Sequence, residues 1–553
     1  MLQPEQLAIG SPEFPGQAAP PAEPVGAWLA ALGTDPLAAL ARIGGDFAVA
    51  LPLGGDRWLL AVDRFAVRTL CWRVDGGVLR WSTRADALAT PAGDIDPQAL
   101  YDYLHFHNIP APRTVWAGVQ RLPAGHALLW ERGQARVLPY WTPTFESDRP
   151  GRFEEHRAQF MALVEDAVRR QLDGTTPACF LSGGTDSSTV AGMLARVGGA
   201  KPLTYSIGFD AQGYDEMSYA RLAARHFGTE HREYYVTAAD LVQHIPAVAA
   251  DFDQPFGNSS VLPAHCCALR AREDGVTRLL AGDGGDELFG GNARYAKQRV
   301  FGWYRHVPAA LRGGLLEPLL ERTPLGTLPL LRKGRSYVEQ AKLPMPDRLE
   351  LYNLLPRLGV RDVLTPDFLG QVDPSAPLAQ QREVWNAAEA RHEIDRTLAF
   401  DWRYTLADSD LPKVRMSTAL AGVSVGFPLL DARLLAFSMT LPPGYKLKGL
   451  KLRWFFKEAL RGFLPDEILT KSKHGFGLPF GVWAVQDPAL QRLARDSLHA
   501  LASRGMVRPD FIEKLLQQLL PQHPGYYGEM VWILMMLEQW LRSHAPNWKV
   551  TLN

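Results

Sequence analysis

Short apolar runs with alternating polarity fill the first quarter of the chain. "GDFAVALPL" (45–53), "DRWLLAVD" (56–63), "TLCWRV" (69–74) and "GVLRWST" (77–83) are separated by Gly/Asp turns. Period-2 alternation between turn residues predicts β-strands in a meander, and "GVQRLPAGHALLWERGQARVLPYW" (118–141) adds a further hairpin. The pattern changes after "TPTFESDRPGR" (142–152). "FEEHRAQFMALVEDAVRRQL" (153–172) carries apolar residues at helical spacing. Strand-like and helix-like stretches then alternate: "PACFLSG", "TVAGMLARV", "LTYSIGF", "YARLAARHFG", "HREYYV" and "TRLLAG". Such alternation predicts a parallel sheet with helices on both faces. From about residue 296 the chain reads mainly helical. Residues 1–26, with the Pro/Ala-rich "SPEFPGQAAPPAEPV" (11–25), read as a disordered tail, 27–148 as a β-rich domain and 152–553 as an α/β domain.

Bulk composition narrows the function classes. With 553 residues, 46% of them hydrophobic, the chain can bury more than one core. Lys+Arg and Asp+Glu both number 59, so no global charge points to nucleic acid. The four cysteines (Cys71, Cys179, Cys266 and Cys267) include no CxxC pair and read as reduced and buried, as expected of a cytoplasmic protein. The start lacks the basic and apolar regions of a signal peptide. The longest apolar run, "MVWILMML" (530–537), is too short to span a bilayer and reads as a core helix.

Two loops carry candidate chemistry. In "ACFLSGGTDSSTV" (178–190) a strand-like run ends in Ser182-Gly183-Gly184 before a helical pattern. A Gly-rich strand-to-helix turn aims backbone N–H groups and the positive helix end at one point, which makes a phosphate cradle. It is not the GxxxxGK[ST] loop, because the Lys is missing. Asp186 would repel a bare phosphate, and a bound Mg²⁺ gives it a purpose. The second loop, "LLAGDGGDELFGGNARY" (279–295), places Asp283, Asp286 and Glu287 within five residues. Such crowding costs repulsion unless a cation or a proton shares the site. In a parallel sheet both loops emerge at the same edge, so that Asp186 and Asp286 could share one Mg²⁺.

These loops, together with "TYSIGFD" (204–210), "YDEMSYAR" (214–221), "DQPFGNSS" (253–260), "GFPLLD" (426–431) and "KSKHGFGLPFGVW" (471–483), resemble the asparagine synthetase family over residues 152–545. The resemblance implies an ATP-pyrophosphatase fold (adenine nucleotide alpha hydrolase-like), preceded by a truncated N-terminal-nucleophile-hydrolase-like domain of the glutamine amidotransferase kind. It implies an ATP- and Mg²⁺-dependent ligase that adenylates a carboxylate, releases pyrophosphate and transfers the acyl group to an amine. On that basis Ser182, Gly183, Gly184, Asp186, Ser187 and Ser188 hold pyrophosphate, and Asp186 and Asp286 hold the metal. Leu181, Ile207 and Gly282 line the adenosine, and Lys473 stabilises charge on the transferring groups. Asp283 is expected to serve as base or orienting group for the amine.

Departures from the family pattern restrict the reading. Residue 2 is Leu where glutamine-dependent members carry a nucleophilic Cys, and the "RGPD"-like and "NGEIYN"-like segments are missing. Cys71 lies within a strand pattern and reads as inert packing. The expectation is therefore a ligase without its own glutaminase. Ser424 and Gly426 stand where many relatives carry Glu and Arg, and Asn258 replaces a common Asp, which leaves the acceptor open. Free ammonia is one candidate amine. An amine within a precursor peptide is another, as in lasso-peptide macrolactam cyclases; β-lactam synthetase chemistry is less expected, because Asp283 replaces a Tyr. A non-catalytic nucleotide-binding scaffold is the competing class. Substrates are thus small-molecule or peptide carboxylates and amines, with no membrane or nucleic-acid partner; a homodimer stays open.

Overall fold

The computed structural model describes residues 5–16, 23–90, 93–147, 151–211, 213–313, 317, 329–471 and 477–551. The alternating runs of the first quarter form two antiparallel sheets rather than one meander. The larger sheet takes β1 (Leu7–Glu13), β2 (Gly44–Gly54) and β3 (Arg57–Val62), while β4 (Cys71–Asp75), β5 (Val78–Ser82) and β6 (Gln120–Arg121) make the smaller one. The hairpin β7 (His126–Glu131) and β8 (Gln134–Pro139) completes the first in the order β1-β2-β3-β7-β8. Asp63 ties the turn after β3 together: its buried carboxylate accepts from the backbone N–H of Phe47, Phe65, Val67 and Arg68. Residues 7–13, expected within a disordered tail, instead pair along their whole length with β2, Leu7 opposite Ala50 and Glu13 opposite Gly44. Composition misjudged this segment because its order comes from the open edge of β2, not from its own sequence.

Beyond α1 (Phe153–Arg170) the alternation folds as expected into an all-parallel sheet. Its strands are β9 (Ala178–Phe180), β10 (Leu203–Phe209), β11 (Glu230–Val236), β12 (Arg278–Leu280) and β13 (Ser424–Gly426), in the order β11-β10-β9-β12-β13. β13 lies inside the stretch that reads as helical; three residues are too few to show a period. On one face, α2 (Thr185–Val197) and α3 (Met217–Phe227) bury Val190, Leu194, Ala220 and Ala223 against Phe160 and Val164 of α1. On the other, α4 (Val261–Glu273) packs Cys267, Ala268 and Ala271 on Tyr205 and Leu279. The apolar run 530–537 lies in a buried helix, Pro524–His544, and no described helix is long and apolar enough to cross a membrane.

The chain builds β9, β10 and β11 outward in one direction, then returns to lay β12 on the other side of β9. Loops leaving β9 and β12 at this reversal lie side by side and line one crevice, the place where parallel α/β sheets bind ligands.

Candidate active site

The loop after β9 is knitted by its own hydroxyls. The Ser182 N–H donates to Ser187 Oγ (3.1 Å), the two side-chain oxygens lie 3.0 Å apart, and the Gly184 N–H donates to Ser182 Oγ (3.3 Å). Gly183 adopts φ 71° and lies against the start of α3, where an added Cβ would stand 2.6 Å from the Tyr219 carbonyl carbon. Both demands exclude a side chain. Gly184 caps α2, whose first N–H groups have no intrahelical acceptor. Ser188 differs from expectation: it is fully buried, its N–H donates to the Gly184 carbonyl (3.0 Å), and it does not line the crevice.

The loop after β12 packs on the first, backbone against backbone. A Cβ on Gly282 would stand 2.7 Å from the Ser187 nitrogen. This contact brings in α5 (Gly285–Phe289), which carries Asp286 in its first turn. Asp186 Oδ2 and Asp286 Oδ1 then converge on one atom, Arg453 Nη1, at 2.6 Å each. Arg453 precedes the helix Trp454–Ala459, holds a left-handed conformation (φ 38°), and donates its N–H to the Gly290 carbonyl (3.0 Å). Burial works against its charge, but Asp186 and Asp286 outweigh that and hold its pKa above the ordinary arginine value.

Leu181, Ser182, Gly184, Asp186, Ser187, Ile207, Gly282, Asp283 and Asp286 all line one crevice of about 420 Å³, which unites nearly every residue expected at the site. Gly183 supports it from behind. Lys473 lies outside the described residues. Asp283 sits deep in the crevice, 3.8 Å from Lys413 Nζ, which donates to Asp410 Oδ1 (2.9 Å). Burial, opposed by Lys413 and assisted by Asp410, pushes the Asp283 carboxyl up to about 6. Asn258 lines the same end. Ser424 and Gly426 do not: they lie on β13, where Ser424 donates to the Thr277 carbonyl (3.1 Å).

Sequence reasoning missed Arg453, Asp410 and Lys413. The basic run "LKGLKLRWFFK" and the i,i+3 pair in "DSDLPKV" were the available signals, neither distinguishable from solvated charge.

No group of three or more His, Cys, Asp or Glu able to hold a metal occurs among the described residues. Two converging carboxylates nonetheless suit Mg²⁺, which takes one or two protein carboxylates and completes its shell with phosphate oxygens and water.

Comparison with known proteins agrees with this architecture. Residues 159–542 match the asparagine synthase family model and residues 23–141 that of the glutamine amidotransferase domain. A putative asparagine synthetase (glutamine-hydrolyzing) of Mycobacterium tuberculosis H37Rv is 27% identical over 409 residues, which cover 70% of this chain and 59% of that protein. The asparagine synthetase (glutamine-hydrolyzing) 1 of Bacillus subtilis is 23% identical over 532 residues, 92% of this chain and 78% of the relative. A carboxyethyl-arginine beta-lactam-synthase of Streptomyces clavuligerus is 32% identical over 263 residues, 47% and 48% of the two chains. With the larger part of its length matched by one family model and its crevice assembled from that part, the chain belongs to the asparagine synthase family.

Proposed function

We propose that this protein is an ATP-dependent carbon–nitrogen ligase that works through an acyl-adenylate and does not draw its amine from glutamine. The observation that carries the reading is the convergence of Asp186 and Asp286 beside the Ser182–Ser187 cradle, in one crevice at the sheet's reversal point. The α2 N-terminus and the hydroxyl-knitted loop bind the phosphates, while Leu181 and Ile207 face the adenosine. Asp186 and Asp286 would hold Mg²⁺, which supplies charge neutralisation on the phosphates. Arg453 keeps these carboxylates together and adds a fixed positive charge; Lys473 is assigned to the same neutralising task.

The chemistry then has two steps. A substrate carboxylate oxygen attacks the α-phosphorus, and the bond to pyrophosphate breaks. An amine attacks the acyl carbon, AMP leaves, and Asp283 accepts the proton that the nitrogen gives up. A carboxyl pushed up to about 6 is a stronger base than an ordinary aspartate, which suits that role. The proposed lack of glutaminase chemistry is supported by the cysteines: all four are free and buried, and burial pushes the Cys71 thiol far up, away from the thiolate that a nucleophile needs.

Substrate-dependent exchange of labelled pyrophosphate into ATP tests the proposal, starting with L-aspartate and a panel of other carboxylic acids. Exchange with at least one acid is expected. ATP binding without exchange for any acid would instead support a nucleotide-binding scaffold. A second reading, a peptide carboxylate with an internal amine, is favoured by one observation. The only cation among the described crevice-lining residues is Lys413, and Asp410 already holds it. The described lining of the crevice therefore offers little to a free α-carboxylate. Exchange stronger with L-aspartate than with any peptide acid would exclude it.

A further inference from the structure

The glutamine amidotransferase-like domain reaches the acceptor end of the crevice through one helical segment with wide turns, Trp402–Asp410. Such i→i+5 stretches are rare and concentrate at functional sites. At its start, the Trp402 indole donates to the Glu287 carbonyl (2.9 Å) in the second acidic loop, while its ring packs on Phe65 and Trp141 of the N-terminal domain. Near its end, Asp408 is 4% exposed. Its Oδ1 accepts from Arg121 Nη2 (2.9 Å) and from the Ala111 N–H (3.3 Å), and its Oδ2 lies 3.2 Å from Arg403 Nε. Arg121, on β6, also donates to the Ile109 carbonyl (2.8 Å). Two residues beyond Asp408, on the opposite side of the helix, Asp410 faces the crevice and holds Lys413 beside Asp283.

We infer that Arg121 is a positioning residue for the acceptor end of the ligase site, acting through Asp408 on the segment that presents Asp410 and Lys413 to Asp283. The N-terminal domain thus contributes to ligation by holding this segment in register, independently of any glutamine chemistry of its own. Without Arg121 the buried Asp408 keeps Arg403, on its own segment, and the Ala111 N–H, but it loses its charged partner from the N-terminal domain and is less well compensated, so the segment loosens. The idea rests on the ligase reading for its functional meaning, but its physical content does not require turnover.

Hydrogen–deuterium exchange of the full chain, read by mass spectrometry, tests it. Arg121→Met is expected to speed amide exchange within residues 403–413 about tenfold and to leave residues 178–190 unchanged. Arg121→Lys should restore most of the protection. Should Arg121→Met fail to fold, Asp408→Asn, which keeps the shape and removes the charge, is expected to give the same local response. Unchanged exchange at 403–413, or a uniform rise across the chain with no rescue by lysine, would overturn the inference. Pyrophosphate exchange by the wild type decides the ligase reading separately, so the two can fail independently.

Discussion

The two ends of the crevice are built in opposite ways. The end proposed to hold phosphate comes chiefly from two short loops, where Ser182 bonds Ser187 and Gly284 to Asp286 turn directly into a helix, with Arg453 brought in from afar to hold their carboxylates. The acceptor end gathers Asp283, Asn258, Asp410 and Lys413 from segments far apart in sequence. It also leans on the N-terminal domain through Arg121. A site made of local turns tolerates little change in its own residues. A site made of distant segments can be retuned from outside.

Substitutions at the phosphate end should do the most damage. Asp186→Ala removes one of the two carboxylates that converge on Arg453 and should lower pyrophosphate exchange by about a thousandfold or more. Retained exchange would show that the metal reading is wrong. Gly282→Ala forces a methyl against the Ser187 nitrogen, spreads the loops, and should cost about a hundredfold in exchange without a matching loss of ATP-independent stability. Measuring both separates misplacement from unfolding.

Acceptor-end changes should spare adenylation and alter the second step. Lys413→Met deletes the cation that opposes burial at Asp283, so the carboxyl rises further above about 6. Amide formation that needs the ionised form should then shift its acid limb to higher pH, and an unmoved limb would remove Asp283 from the proton path. The stability sign runs the other way. The folded value lies above the unfolded one, so Asp283 stabilises the fold only while protonated. That contribution is present below about 4 and is lost as pH rises through about 6. The smallest effect is expected at Ser188, whose buried hydroxyl has no partner among the described residues. Ser188→Ala should change stability by no more than about 0.5 kcal/mol and leave exchange intact, which thermal melting and the exchange assay can check.

The same contrast explains what could be read in the sequence. SGGTDSS and GDGGDE are legible because a strand, a glycine turn and a helix start must follow one another in sequence to make an anion cradle. The parallel sheet follows from the alternation of runs, but the reversal of strand order at β9 and β12 does not, because many strand orders fit the same alternation. Arg453 and Lys413 are illegible because nothing near them in sequence marks them; only the fold brings them to the carboxylates. Ser188 shows the converse error: it lies in the motif, yet helix periodicity turns it into the core. Ser424 and Gly426, expected to bear on the acceptor, turn out to belong to the sheet edge.

β1 carries a consequence for handling the protein. It covers the outer edge of β2, an 11-residue strand with a mostly buried, apolar sequence. A version of the chain trimmed at residue 27, where composition suggests folding begins, would bare that row of unpaired N–H and C=O groups. Bare edges of this kind recruit other chains, so such a trimmed protein would lose solubility before it lost its ligase fold.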